Sequence, residues 1–347
     1  MHFSSAANRA VIENSTFNRC ASVYLDNSSS VEITSLEITN VISGTSGLYA
    51  RSSTNGNIDI DKIKIENIPN GRGMEINTAG TVMIFNAGIR NTKTTANGGG
   101  LWINRDVNLF INETVFEDCI AYNNGGAIFK SNSVTAPTII NSRFIDCTAR
   151  NRGKIIYCEY ARGFTSIIEV KYCTFTHTSA LRDVGEFDSN SYHGMFLYNG
   201  YFEACTFNNL TSNTIHEYYL FGNLFKWIDD GTTSLIGSES RITLKDCIFN
   251  FKNTGKLGLI AMHNNNVYDD NILEFYMIID NITINNYNGL QPLIWLYRSS
   301  VNSPSDIFKF TGNNVYNGTL LDTQQKNINL GSNIVRLQGG AVPTLVP

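Results

Sequence analysis

Residues 98–150 read GGGLWINRDVNLFINETVFEDCIAYNNGGAIFKSNSVTAPTIINSRFIDCTAR, and the spacings inside this stretch decide the fold. Ile111 is followed five residues on by Phe116 and three further by Cys119, and Ile139 is followed in the same way by Phe144 and Cys147. The pattern recurs upstream at Ile12 (Phe17, Cys20), Ile33 (Ile38, Val41), Ile60 (Ile65, Ile68) and Ile84 (Ile89, Thr92). Downstream it continues at Val170 (Phe175, Thr178), Phe202 (Phe207, Leu210), Leu244 (Phe249), Ile279 (Ile284, Tyr287), Phe310 (Val315) and Leu330 (Val335). A second apolar column lies between these anchors, as in Val23-Tyr24-Leu25, Leu48-Tyr49-Ala50, Leu101-Trp102-Ile103, Ala127-Ile128-Phe129, Ile155-Ile156-Tyr157, Met195-Phe196-Leu197, Leu224-Phe225 and Leu259-Ile260-Ala261, and Gly often precedes it. Short strands separated by Gly, Asn and Ser turns, repeated at variable length, describe the coils of a parallel β-solenoid. Stacked at about 4.8 Å per coil, twelve coils make a rod roughly 50 Å long. Helical periodicity is weak; the one segment in which a helix is expected is Leu210 to Trp227, with Asn213 or Thr214 as its cap.

Composition fits a folded, non-helical chain. Of 347 residues only 16 % are charged and 42 % are hydrophobic, with 28 Gly and 6 Pro, which excludes a charged disordered tail and a coiled coil. A net charge of −4 without a Lys/Arg cluster excludes the electrostatic footprint of a nucleic-acid binder. No apolar run is long enough to span a membrane, and Met1 to Cys20 lacks the basic start and apolar middle of a signal peptide. Because the repeat begins within a dozen residues and Gly339-Gly340-Ala341-Val342 resembles a strand opening, residues 1–347 are expected to be one β-helix domain cut from a longer surface or secreted protein. The 44 Asn have two readings, which can both hold: Asn tolerates the left-handed bends and stacks in hydrogen-bonded ladders, and an AT-rich genome would also enrich it.

Gly125-Gly126-Ala127-Ile128, with Phe-x-x-Cys at Phe17–Cys20, Phe116–Cys119 and Phe144–Cys147, resembles the repeat of the chlamydial polymorphic outer-membrane proteins, which alternates Gly-Gly-Ala-Ile with Phe-x-x-Asn. It is similar also to repeats in large surface proteins of anaerobic protists and fungi, including scaffold proteins that gather enzymes. The likeness is concentrated in residues 98–150, and Cys here replaces the Asn of the family pattern. The resemblance implies an all-β, single-stranded right-handed parallel β-helix of about twelve coils, an extracellular or cell-surface location, and adhesion or scaffolding without a catalytic site.

Position in the repeat explains most of the seven Cys. Cys20, Cys119 and Cys147 fall eight residues after an anchor and Cys173, Cys205 and Cys247 fall three after one, on columns expected to point inward. Disulfides between neighbouring coils, such as Cys119 with Cys147 or Cys173 with Cys205, are open in principle, and Cys158 is expected in an exposed column. The spacings of a zinc site are absent, so neither metal nor cofactor is expected. Candidate acids for a carbohydrate-active site are Asp229-Asp230, Asp269-Asp270 and the pair Asp59 and Asp61, all of which read more simply as turn or solvated strand residues. Tyr192-His193-Gly194 and Arg241-Ile242-Thr243 are only partial matches to polygalacturonase motifs.

The second column carries the functional signal. With Leu101, Ile103, Ala127, Phe129, Met195 and Leu197 inward, alternation sends Trp102, Ile128, Ile156, Phe196, Phe225, Ile260 and Ile294 outward. Two residues later the side chains change from polar (Asp26, Arg51, Asn77, Asn104, Lys130) to apolar (Cys158, Tyr198, Trp227, Met262, Leu296). A face apolar on both sides must be covered, either by the chain's own insertions or by a partner. The expected partner-binding residues are Trp102, Ile156, Phe196, Tyr198, Phe225, Trp227, Ile260, Met262 and Tyr297, on the C-terminal half, facing a protein partner or a polysaccharide. An enzyme-docking receptor of a scaffold protein is the most concrete form; the alternative is a carbohydrate-active β-helix. Asn-x-Ser/Thr sequences at Asn14, Asn27, Asn112, Asn209, Asn281 and Asn317 are compatible with secretion.

Overall fold

A backbone device repeated from coil to coil among the described residues produces the five-residue spacing. In the computed structural model, the second residue after each anchor from Ile12 to Phe310 has positive φ: Asn14, Ser35, Lys62, Asn86, Glu113, Asn141, Tyr172, Ala204, Asp246, Asn281 and Gly312. A left-handed residue interrupts strand alternation, so the next inward side chain comes three residues after the anchor and the following strand places another at five. A second left-handed residue (Arg19, Asn40, Asn67, Asn91, Asp118, Asp146, Asn209 or Asn286) brings the next inward side chain at eight. Nine of the eighteen non-glycine residues with positive φ are Asn, so the bends account for part of the asparagine content. Ladders account for more. Nδ2 of Asn40 donates to Asn18 at 3.0 Å, Asn67 to Asn40 at 3.1 Å and Asn91 to Asn67 at 3.3 Å, and a second run links Asn208, Asn250, Asn285 and Asn317 at 2.8 to 2.9 Å.

The structure describes residues 2–4, 9–26, 30–52, 56–103, 105–133, 135–151, 153–160, 167–176, 193–196, 199–210, 218–224, 240–252, 257–264, 275–287, 294–298, 307–318, 335–338 and 344–346. They build an all-β right-handed parallel β-helix with a first sheet of twelve strands, one per coil, and a second sheet of 21 strands on either side of the left-handed bends. Rungs are parallel and in register: Ile12 sits against Ile33, Ile33 against Ile60, Ile111 against Ile84 and Ile139, and Val170 against Phe202. Inward residues form one continuous core from Ile12 to Tyr287. Its centre is a column of stacked rings, Phe116, Phe144, Phe175, Phe207 and Phe249, with successive centroids 5.3, 4.8, 4.7 and 4.7 Å apart and planes within 9°.

The cysteine columns are where the repeat put them, with Cys119, Cys147, Cys173, Cys205 and Cys247 buried and all seven thiols free. Burial, then the neighbouring Cys119 thiol, pushes Cys147 well above the ordinary range, while the hydrogen bond to the neighbouring thiol, then burial, does the same for Cys247, and the hydrogen bond to the Cys173 thiol, with burial, pushes Cys205 up to about 12. Cys158, expected to be exposed, is 1 % exposed; it pairs with Lys130 and lies on the inward column.

Four readings need correction. Tyr218–Leu224, inside the expected helix, is a first-sheet strand; residues 211–217 and 225–227 lie outside the described residues. In that coil the inward residue is Phe221, in register with Met195 and Ile260, so the column does not run through Leu224-Phe225. Ile284 pairs with Tyr316 rather than Val315. Val335 belongs to the first sheet, opposite Ile294, and Thr344–Val346 follows Ile307–Thr311 in the second.

Candidate partner-binding face

The corner leading into the first sheet fixes which side chains face outward. Gly98, Gly125 and Gly153 all have positive φ, and each stands three residues before an inward residue: Leu101, Ile128 and Ile156. A side chain at Gly125 would have its Cβ 2.4 Å from the Ile128 carbonyl oxygen, so glycine is required there by close approach as well as by conformation. Counted from this corner, Gly100, Ala127 and Ile155 are equivalent, which moves the second column by one residue after Trp102. Leu101 therefore pairs with Ile128, Trp102 with Phe129 and Ile103 with Lys130. Aligning the glycines of Gly98-Gly99-Gly100 and Gly125-Gly126-Ala127 was the available signal.

The expected site residues divide accordingly. Trp102 faces outward and is half-buried. Ile156 and Ile260, expected outward, are fully buried in the core, as is Ile128. Phe196 is in register with Tyr157, so its backbone stands on the outward column; Met262 and Tyr297 lie on first-sheet strands. The side chains of these three, and Tyr198, Phe225 and Trp227 entirely, lie outside the described residues.

The outward column of the described residues reads Tyr24, Tyr49, Glu75, Trp102, Phe129 and Tyr157. Tyr24 and Tyr49 have centroids 5.3 Å apart in tilted contact and are half-buried. Glu75 interrupts the aromatics but is bound to Arg72 at 2.7 Å, and the Arg72 guanidinium lies 4.7 Å from the Trp102 ring centre. Arg72 also donates from Nε to the Asn97 carbonyl at 2.7 Å, so cation, acid and ring are held as a unit. Burial lowers the Arg72 pKa and raises that of Glu75, each opposed by the charge of the other. Phe129 and Tyr157 stack at 5.0 Å with planes 8° apart, and both are only 5 % exposed although they point away from the core. At these two rungs the chain covers its own face. Among the described side chains of this column, the partly open rings are Tyr24, Tyr49 and Trp102.

Lys130, expected among the solvated residues, is 1 % exposed and occupies the inward column between Ile103 and Cys158. Its Nζ donates to the Thr135 carbonyl at 2.7 Å, and the Thr135 amide donates to Asp106 at 3.1 Å. Burial, partly offset by Cys158 and Asp106, pushes the ammonium down to about 8, and burial pushes the Cys158 thiol up to about 12.

Of the acidic candidates, Asp59 and Asp61 are among the described residues. Burial, and Glu32 on the adjacent rung, raise the Asp59 carboxyl, while Asp61 accepts from Asn86 Nδ2 at 2.7 Å as a ladder member. Asp229-Asp230 and Asp269-Asp270 lie outside the described residues. Of the partial motifs, Ile242 is core and Thr243 is 7 % exposed. Among the described residues, no three His, Cys, Asp or Glu side chains form a group that could hold a metal ion, and no helix is long and apolar enough to cross a membrane.

No curated protein matches the chain. Over residues 2–160, the segment that carries the glycine corners and the open aromatic rungs, it is similar to the family described as a right handed beta helix region.

Proposed function

We propose that this β-helix is a non-catalytic extracellular scaffold or adhesion module that docks a protein partner on the outer face of its first sheet. The observation that carries the reading is the open aromatic column of Tyr24, Tyr49 and Trp102, with Arg72 and Glu75 locked between the second ring and the third. Tyr, Trp and Arg are the side chains that dominate docking energies, because they bury large areas at small conformational cost. A rigid sheet presents them at fixed rung spacing, so little ordering remains to be done on binding. The most concrete form is a receptor unit that holds a small docking module of a secreted enzyme.

The same rings favour one second reading, a glycan-binding face, since successive aromatic rungs offer flat surfaces on which sugars stack. Both readings are tested together. The immobilised chain is exposed to the extracellular fraction of its source and, separately, to insoluble polysaccharides, and is compared with a Tyr49→Ser, Trp102→Ser double variant whose β-sheet circular dichroism is intact. A protein held about 30-fold more weakly by the double variant, the loss of roughly 2 kcal/mol expected of a hot spot, supports the docking reading. The same loss on polysaccharide alone moves the function to glycan binding. Equal retention by both chains rejects this face.

A further inference from the structure

Of the six Asn-x-Ser/Thr sequences, Asn27 lies outside the described residues and the other five asparagines all sit on second-sheet strands or bends. They are of two kinds. Asn281 donates from Nδ2 to Asp246 at 2.5 Å, Asn317 donates to Asn285 at 2.9 Å, and half-buried Asn112 accepts from Asn141 at 3.1 Å. Each is a rung of a ladder, with the next side chain about 4.8 Å away along the rod, which leaves no room for a sugar ring on that side. Asn14 and Asn209 are different. Both are exposed and left-handed, with φ of 43° and 52°, and neither amide bonds another side chain among the described residues. Asn14 is in the same bend column as Ser35 and Lys62, so no amide ladder passes through it. Asn209 lies where the register slips: Phe207 pairs with Phe249 but Leu210 pairs with Phe251, so three steps on one strand oppose two on the other. Asn208 takes the ladder position against Asn250, and Asn209 is the extra residue, turned out of the sheet.

We propose that the chain carries N-linked glycans at Asn14 and Asn209, while the ladder asparagines Asn281 and Asn317 remain unmodified. In the transfer, Nδ2 forms a bond to the anomeric carbon of an oligosaccharide and loses one proton. The bond from that carbon to the oxygen of a lipid diphosphate donor breaks, and the lipid diphosphate leaves. This rests on the extracellular part of the reading above, and it adds a spatial consequence. Asn14 and Asn209 both lie on second-sheet strands, so the sugars proposed here stand on a different sheet from Tyr24, Tyr49 and Trp102.

The test is peptide mapping of the full chain, taken both from its source and from a eukaryotic cell that secretes it. Glycans are released by an amidase in ¹⁸O-water, so that each formerly modified Asn becomes a labelled Asp. The expected result in both samples is near-complete labelling at Asn14 and Asn209 and none at Asn281 or Asn317. The Asn14→Gln, Asn209→Gln variant then loses both glycans and keeps its circular dichroism. Unlabelled Asn14 and Asn209, or labelling of Asn281 or Asn317 to the same extent in folded protein, overturns the assignment. Because the readout is mass rather than retention, failure of the docking face leaves this result standing, and the reverse also holds.

Discussion

The two sheets of this solenoid are built from the same coils and obey different constraints. In the second sheet, burial is set by the count from the left-handed bends, and five residues after the anchor the inward side chains repeat: Ile38, Ile65 and Ile89 in the early coils, then Phe116, Phe144, Phe175, Phe207 and Phe249 in one stack. In the first sheet, the outward column changes identity at nearly every rung, from Tyr24 and Tyr49 through Glu75 to Trp102, Phe129 and Tyr157. Stacking geometry dictates the first set and is indifferent to the second. Where geometry leaves a position free, an aromatic surface there is a feature that needs a separate reason, and docking supplies one.

The largest effect expected from this contrast is on stability. Phe175→Ala removes a fully buried ring from the middle of the stack and should cost about 3–5 kcal/mol, whereas Trp102→Ala, half-buried on the other sheet, should cost about 1–2 kcal/mol. Chemical denaturation of both variants measures the difference; equal losses would mean that the outer column is as structural as the inner one.

Lys130 sharpens the comparison, because it is a polar residue on the inward column of the variable sheet. The folded chain holds its ammonium at about 8, whereas the unfolded chain holds it near 10.4, so the unfolded state binds the proton more tightly. The cost of the charged form is therefore fully present below pH 8, and the Lys130 contribution to stability should rise through the window from about 8 to 10.4, by roughly 1–3 kcal/mol, against the opposite trend of the buried thiols. Asp106 and Cys158 are the ionisable groups that interact with it, and Cys158 stays a thiol through most of that window. Subtracting the pH profile of Lys130→Met isolates the contribution. A flat difference would place the ammonium in contact with water.

The smallest effect tests the bend itself. Asn141 is exposed, has φ of 50° and donates to Asn112 at 3.1 Å. Asn141→Ala should cost about 1 kcal/mol, since Ala resists the left-handed region and cannot join the ladder. Asn141→Gly removes only the ladder bond and should cost less. The order of the two thermal midpoints separates conformation from hydrogen bonding.

The spacing of Ile111, Phe116 and Cys119 was enough to predict the fold class and the inward cysteine columns, because a side chain's burial in a stacked coil depends only on its count from the bend. The same logic failed at the corner before the first sheet. Ala127-Ile128-Phe129 resembles Leu101-Trp102-Ile103 in polarity, and a one-residue offset exchanges inside for outside, so Ile156 and Ile260 were placed on the wrong face. Hydrophobicity could not correct this, since Phe129 and Tyr157 are apolar, outward and buried at once.

The sequence by itself determined the repeat, the parallel coils, the asparagine bends and ladders, and the burial of five of the cysteines within the core columns. All of these follow from local periods of a few residues. Only the tertiary structure decided the register of the first sheet, the covering of Phe129 and Tyr157, the entry of Lys130 into the core and the separation of free from laddered asparagines. Each of those depends on which residue lies one coil away, and coils here differ in length from 21 residues (Ile12 to Ile33) to 42 (Phe202 to Leu244), so the neighbour cannot be read from spacing alone.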